Sequence, residues 1–127
     1  MTNHAFTEEA LVEQSSVEVL AALGWPTLTA KEEQLGPTGT LGRDSLRDVT
    51  LLPALRLALK TLNVTATDVA ISHAIDELTR DRVAMGPPAA NREVHRLLVD
   101  GVKVAIKNPL TGAEEPLTLR VIDWERP

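Results

Sequence analysis

The feature that most constrains this chain is a change of hydrophobic period at Gly101. Before it, apolar residues recur at helical spacing. After it, Val102, Val104 and Ile106 alternate with Lys103, Ala105 and Lys107, and Leu117, Leu119 and Val121 alternate with Thr118 and Arg120. Asn108-Pro109-Leu110-Thr111-Gly112 supplies turn chemistry between the two runs. The spacing predicts a β-hairpin with one apolar face, preceded by helices: an α+β chain. A two-stranded ribbon is marginal alone, so the hairpin requires a helix layer or further strands to cover it. At 127 residues the chain is the size of one domain.

Four helices are expected ahead of the hairpin. The first spans about residues 8–23, with Thr7 as N-cap, Glu8 and Glu9 favourably placed against the helix dipole, and Val12, Val19, Leu20 and Leu23 on one face with Ser16 filling the gap. Gly24 suits its C-terminal cap and Trp25-Pro26 prevents continuation. Residues 27–43 read as a connection, broken by Pro26, Gly36, Pro37, Gly39 and Gly42. Helical signal returns over 44–62, divided by Pro53, with Leu55, Ala58, Leu59 and Leu62 as the buried face of its second part and Asn63 as its stop. Thr65 and Asp68 have capping-box spacing for a third helix that runs to about Arg80 and buries Ile71, Ala74, Ile75 and Leu78. Gly86-Pro87-Pro88 breaks the chain, and a fourth helix follows from Ala89 to Val99, ending near Asp100-Gly101.

Composition removes several classes of chemistry. Without cysteine there is no disulfide framework, thiol nucleophile or Cys-based zinc site. The formal charge is −5, with 5 basic and 8 acidic residues in 1–63 and 8 and 10 in 64–127. No basic stripe is present, and Phe6, Trp25 and Trp124 are the only aromatics, so little affinity for nucleic acid is expected of the chain by itself. The N-terminus lacks the pattern of a signal peptide and no apolar run reaches membrane-spanning length, so no membrane partner and a cytoplasmic location are expected.

The search for a catalytic motif is mostly exclusion. His4, His73 and His95 lack metal-ligand spacing, and structural or surface roles suit them better. The glycines at 36, 39 and 42 are not followed by the Lys-Ser/Thr of a phosphate loop, because Gly42 precedes Arg43-Asp44; that segment is read as a flexible connection, with no nucleotide bound. A nuclease of the Asp…Glu-x-Lys type needs a lysine two residues beyond a metal-binding carboxylate, and no Asp or Glu here has one. Asp100-Gly101-Val102-Lys103 has the wrong spacing for a single strand face. Glu13 and Glu18 suit a solvated helix face, and Asp123 and Glu125 a hydrated chain end. In Asn91-Arg92-Glu93-Val94-His95-Arg96, residues one helical turn apart share a face, which fits an anchored turn better than a phosphate contact.

The order of motifs nevertheless resembles a known family. Glu8–Gln14, Leu23-Gly24-Trp25, Leu51–Asn63, the Asn91–Val104 stretch and Leu119–Trp124 are similar to the N-terminal region of the restriction (motor and nuclease) subunit of type I restriction-modification enzymes. The segment Asn-Arg-x-x-His followed by Leu-Leu-Val-Asp-Gly-Val is the most specific, and the resemblance spans nearly the whole chain. It implies that residues 1–127 are the front part of a restriction-endonuclease-like nuclease domain, incomplete as it stands. The full-length parent is then an ATP-driven, Mg²⁺-dependent hydrolase that binds and cuts unmodified double-stranded DNA together with methylation and specificity subunits. Its Asp and Glu-x-Lys centre would lie beyond the Ile-Asp-Trp segment, so this chain alone is expected to be inactive and to bind neither Mg²⁺ nor ATP. By the same resemblance Glu13 matches an auxiliary carboxylate on the first helix, and Asn91, Arg92 and His95 match motif positions that order the helix-to-strand junction. The alternative is a stand-alone protein-interaction module derived from that domain, without catalysis.

Overall fold

In the computed structural model, which describes residues 9–126, the chain divides into an N-terminal unit, Met1–Glu33, and a second unit, Gln34–Pro127. In the first, residues Glu9–Glu13 are wound as a π-helix and continue into α1, Gln14–Ala22. The Ser16 hydroxyl donates to the Val12 carbonyl at 2.8 Å, across the change of winding. Thr7 and Glu8 lie outside the described residues. As expected, Gly24 closes the helix: its φ is +91°, its N–H donates to the Ala21 carbonyl, and the Trp25 N–H reaches back to Leu20. No residue of α1 is buried, and Leu23 is 71% exposed.

The second unit begins with a stretch that is hydrogen-bonded rather than a loose connection. Gly36 N–H donates to the Arg43 carbonyl at 2.7 Å, Thr40 N–H to the Gln34 carbonyl at 2.9 Å, and Gln34 N–H to the Thr40 hydroxyl at 2.9 Å. Gly39 is required there, because a Cβ would stand 2.0 Å from the Gln34 carbonyl oxygen. The helix expected from residue 44 is absent before Leu52. Instead the Asp48 carboxylate accepts from the Asp44 and Ser45 amides, and the Arg43 guanidinium donates to the Asp48 carbonyl, so side chains take the backbone groups a helix would have used. Pro53 consequently starts a helix instead of dividing one: α2 is Leu52–Leu62, with the proline in its first turn. Leu59 is its buried residue. Ala58, expected inside, is exposed, while Arg56 is half-buried and donates to the Ser72 hydroxyl at 3.3 Å.

Helix α3, Asp68–Thr79, is capped by Thr67 and not by Thr65; the Thr67 hydroxyl accepts from Ala70 N–H at 3.2 Å. Ala70, Ile71, Ala74 and Ile75 are buried and Leu78 packs at the edge of the same cluster, matching the expected face. After a 3-10 turn at Val83–Met85, Gly86 (φ +78°) admits α4, Pro87–Asp100, whose first turn contains both prolines. The Pro-Pro pair thus opens the fourth helix two residues before its expected start, since proline lacks only an N–H that a first turn leaves unused.

The hairpin forms as the period predicts. β1, Val102–Lys107, pairs antiparallel with β2, Glu114–Leu119, in a register that sets Val102 against Leu119 and Val104 against Leu117. In the turn, the Asn108 side-chain oxygen accepts from Leu110 N–H at 2.8 Å, and Gly112 takes φ +69°. α3 lies across the apolar face, so Leu59, Ile71, Leu97, Val102, Val104 and Leu119 share one core. Burial of such side chains contributes roughly 1.5–3 kcal/mol each.

Candidate functional site

The densest polar chemistry lies where α3 ends and α4 passes it. Helix α3 leaves its last carbonyls without intrahelical partners. Arg82, with a side chain only 6% exposed, supplies them: Nη2 donates to the Glu77 carbonyl at 2.5 Å, and Nη1 to the carbonyls of Leu78 and Arg80 at 3.3 and 3.0 Å. Its Nε donates to Glu93 Oε2 on α4 at 3.0 Å, and Arg80 Nη2 meets the other carboxylate oxygen at 2.8 Å. One glutamate therefore joins two arginines, and one arginine caps one helix while fastening it to the next. Beside this clasp is a cleft of about 230 Å³ lined by Glu77, Arg96, Leu97, Asp100, Gly101 and Lys103. Its two acids and two bases balance.

A second polar junction ties α2 to the end of the hairpin. The Asn63 side-chain amide donates to the Arg120 carbonyl at 2.8 Å and accepts from the Arg120 N–H at 2.8 Å, while also donating to Leu59 within its own helix. This ends β2 at Leu119, so Val121 lies past the strand instead of within it. Just beyond, the Asp123 carboxylate accepts from the amides of Glu125 and Arg126 at 3.2 Å each and pairs with the guanidinium groups of Arg120 and Arg126 at 3.4 Å. Asp123 thus organises a turn, where a hydrated chain end was expected.

The residues singled out in the sequence are placed differently. Glu13 ends the π-helical turn of the N-terminal unit, exposed, and makes no capping hydrogen bond to α1. Asn91, Arg92 and His95 are exposed along α4, where the engaged residue of that motif is Glu93. Arg82, Glu93 and Asn63 were not singled out. A cation just after the last periodic residue of α3 is a signal that could have pointed to Arg82, whereas nothing local marks a bond from Asn63 to a residue 57 positions away.

Residues 5–127 match the family described as Type I restriction enzyme R protein N terminus. The chain belongs to that family. Members of it are the N-terminal regions of restriction subunits, which work in assemblies with other subunits on DNA. No curated protein and no solved structure matches the chain.

The groups such an enzyme uses can be tested against the side chains. A divalent cation of the Mg²⁺ type wants converging oxygen ligands. Among the described residues no three Asp, Glu or His side chains form such a group, and in the cleft Glu77 already faces Arg80 and Arg82 at 3.6 and 3.5 Å. A nucleotide phosphate wants free backbone amides, but those of Gly36 and Gly39 are spent on the carbonyls of Arg43 and Gly36. No helix among the described residues is long and apolar enough to cross a membrane.

Proposed function

We propose that this chain is the helical layer and first hairpin at the front of a restriction-endonuclease-like nuclease module, and that its role there is architectural. The supporting observation is the pairing of the family match over 5–127 with a hairpin whose apolar face is covered by α3 and whose helices are fastened by Arg82 and Glu93. In this reading, cleavage of unmodified double-stranded DNA with Mg²⁺ and ATP belongs to the longer subunit assembled with methylation and specificity subunits. Glu13 is an auxiliary acid to that centre. Asn91, Arg92 and His95 serve the helix that leads into β1. The test is incubation of the purified 127-residue chain with supercoiled plasmid and Mg²⁺, with and without ATP. Plasmid that stays intact fits the proposal; robust cutting by a clean preparation overturns it.

The second reading, a protein-interaction module without catalysis, draws support from the apolar groove of the N-terminal unit lined by Val17, Leu20, Trp25, Pro26 and Leu28. Native mass measurement separates the two. A stable dimer that persists on dilution supports the module, and a sticky or partly unfolded monomer supports the domain piece.

A further inference from the structure

Helix α4 is attached to the rest of its unit at few points among the described residues. A helix in a small domain is held chiefly by the apolar face it buries. Along α4 the buried residue is Leu97, whereas α3 buries Ala70, Ile71, Ala74 and Ile75. Val94 and Leu98 are half-buried, but the half-buried side chains that flank the core, such as Leu55, Leu78, Ile106 and Leu117, come from other elements. The polar attachment is equally concentrated. Glu93 receives Arg80 and Arg82 at 2.8 and 3.0 Å, and among the described residues no other side chain of α4 makes a hydrogen bond or an ion pair. Both ends of the helix are glycines at positive φ, Gly86 at +78° and Gly101 at +86°. Their surroundings differ. A Cβ on Gly86 would meet nothing within 4 Å, while one on Gly101 would stand 2.6 Å from the Leu119 carbonyl oxygen. The first end is open and the second is seated on β2.

From this we infer that α4 is a latched strap: it swings away from α3 as a unit while α2, α3 and the hairpin stay folded, with Gly101 as pivot, Gly86 as free hinge and the Arg80–Glu93–Arg82 clasp as latch. Segments with few buried apolar contacts open below the free energy of global unfolding, and hinges are element-terminal positions that absorb the change in φ and ψ. What remains after the swing is self-sufficient. The core keeps Leu59, Ile71, Ala74, Val102 and Leu119, to which α4 adds Leu97. Arg82 keeps the carbonyls of Glu77, Leu78 and Arg80, so α3 stays capped when Glu93 leaves. That arginine is thus bonded to α3 and latched to α4. Opening parts the walls of the cleft, because Arg96, Leu97 and Asp100 travel with α4 while Glu77 and Lys103 stay behind. The inference concerns contacts within this chain and stands or falls independently of the DNA-cleavage reading.

The test is amide hydrogen exchange of the 127-residue chain in increasing, sub-denaturing urea. Corrected for intrinsic rates, the amides of residues 94–99 should exchange at least about tenfold faster than those of residues 72–75 without urea. They should also respond less steeply to urea, because swinging one helix exposes less surface than unfolding the chain. Two substitutions locate the opening. Glu93→Gln removes the latch and should speed residues 94–99 at least about tenfold. Ile71→Val weakens packing that the open form retains, so it should speed residues 72–75 by about two- to tenfold and leave residues 94–99 unchanged. Equal protection and equal urea dependence of the two helices would show that α4 leaves only with global unfolding and would overturn the inference. Acceleration of both helices by the same factor in Ile71→Val would do the same, as would a folded Glu93→Gln in which α4 exchanges no faster. Should Glu93→Gln fail to fold, the unmodified chain and Ile71→Val decide the question between them.

Discussion

Arg82 shows how much one side chain can carry. Desolvating a guanidinium is costly, and here the cost is met by three carbonyls and a carboxylate, so truncation would leave Glu93 half-paired and the end of α3 uncapped. Arg82→Met should lower the free energy of unfolding by about 3 kcal/mol in a urea titration, and Arg82→Lys, which keeps the charge but not the fork, should fall between. Asp68 is the contrasting case of a surface pair. A hydrogen bond from Lys60 at 2.8 Å, and the charge of that lysine, hold its carboxyl below the ordinary aspartate value. A carboxyl depressed in the folded state adds stability above its unfolded pKa, near 4, and loses it as pH falls through the lower folded value. Both partners are largely exposed, so the effect is small. Lys60→Gln should move the Asp68 midpoint upward in an NMR titration while leaving stability at neutral pH nearly unchanged; an unmoved midpoint would refute the pairing.

Among the elements, α1 and α3 carry similar apolar periods and have different fates. Ile71 is fully buried against the hairpin, whereas Val19 is 60% exposed. Ile71→Ala should therefore cost about 2–5 kcal/mol of stability, and Val19→Ser less than about 0.5 kcal/mol, both read from denaturant midpoints. Periodicity reported correctly that each segment is a helix, because i, i+3 and i+4 spacing is a property of the segment itself. It could not report which stripe is covered. The start of α2 was equally hidden: residues 44–51 have helical composition, but Asp48 and Arg43 bind the local backbone in turns first. Thr67 over Thr65 as the cap of α3 is a two-residue choice that only dihedral angles decide.

For the molecule as a whole, the division into units changes the meaning of its charge. Halving the chain at residue 63 spreads the −5 evenly, but residues 1–33 hold six glutamates against one lysine, and residues 34–127 hold 12 acidic and 12 basic groups. All of the net charge belongs to the N-terminal unit. Among the described residues the buried core, from Leu59 to Leu119, belongs to the second. A chain shortened to residues 34–127 should thus lose its retention on an anion exchanger at pH 7 and become less soluble there. Its unfolding free energy should change by less than about 1 kcal/mol; loss of the cooperative transition would show that the core needs the first unit.

What the sequence determined by itself was whatever is encoded within a few residues. The switch from helix to hairpin at Gly101, the Asn108–Gly112 turn, the face of α3 and the ordered motifs that mark the family all follow from local spacing, where Cβ direction and turn chemistry act directly. The candidate site residues were less legible. Of the Asn91–Arg96 motif, the sequence drew attention to Asn91, Arg92 and His95, while the folded chain employs Glu93. Only the tertiary structure decided that choice, together with the closing of β2 by Asn63. Each depends on groups brought together from distant positions, 57 residues apart in the case of Asn63 and Arg120, and no local pattern specifies which backbone groups remain unpaired once those contacts have formed.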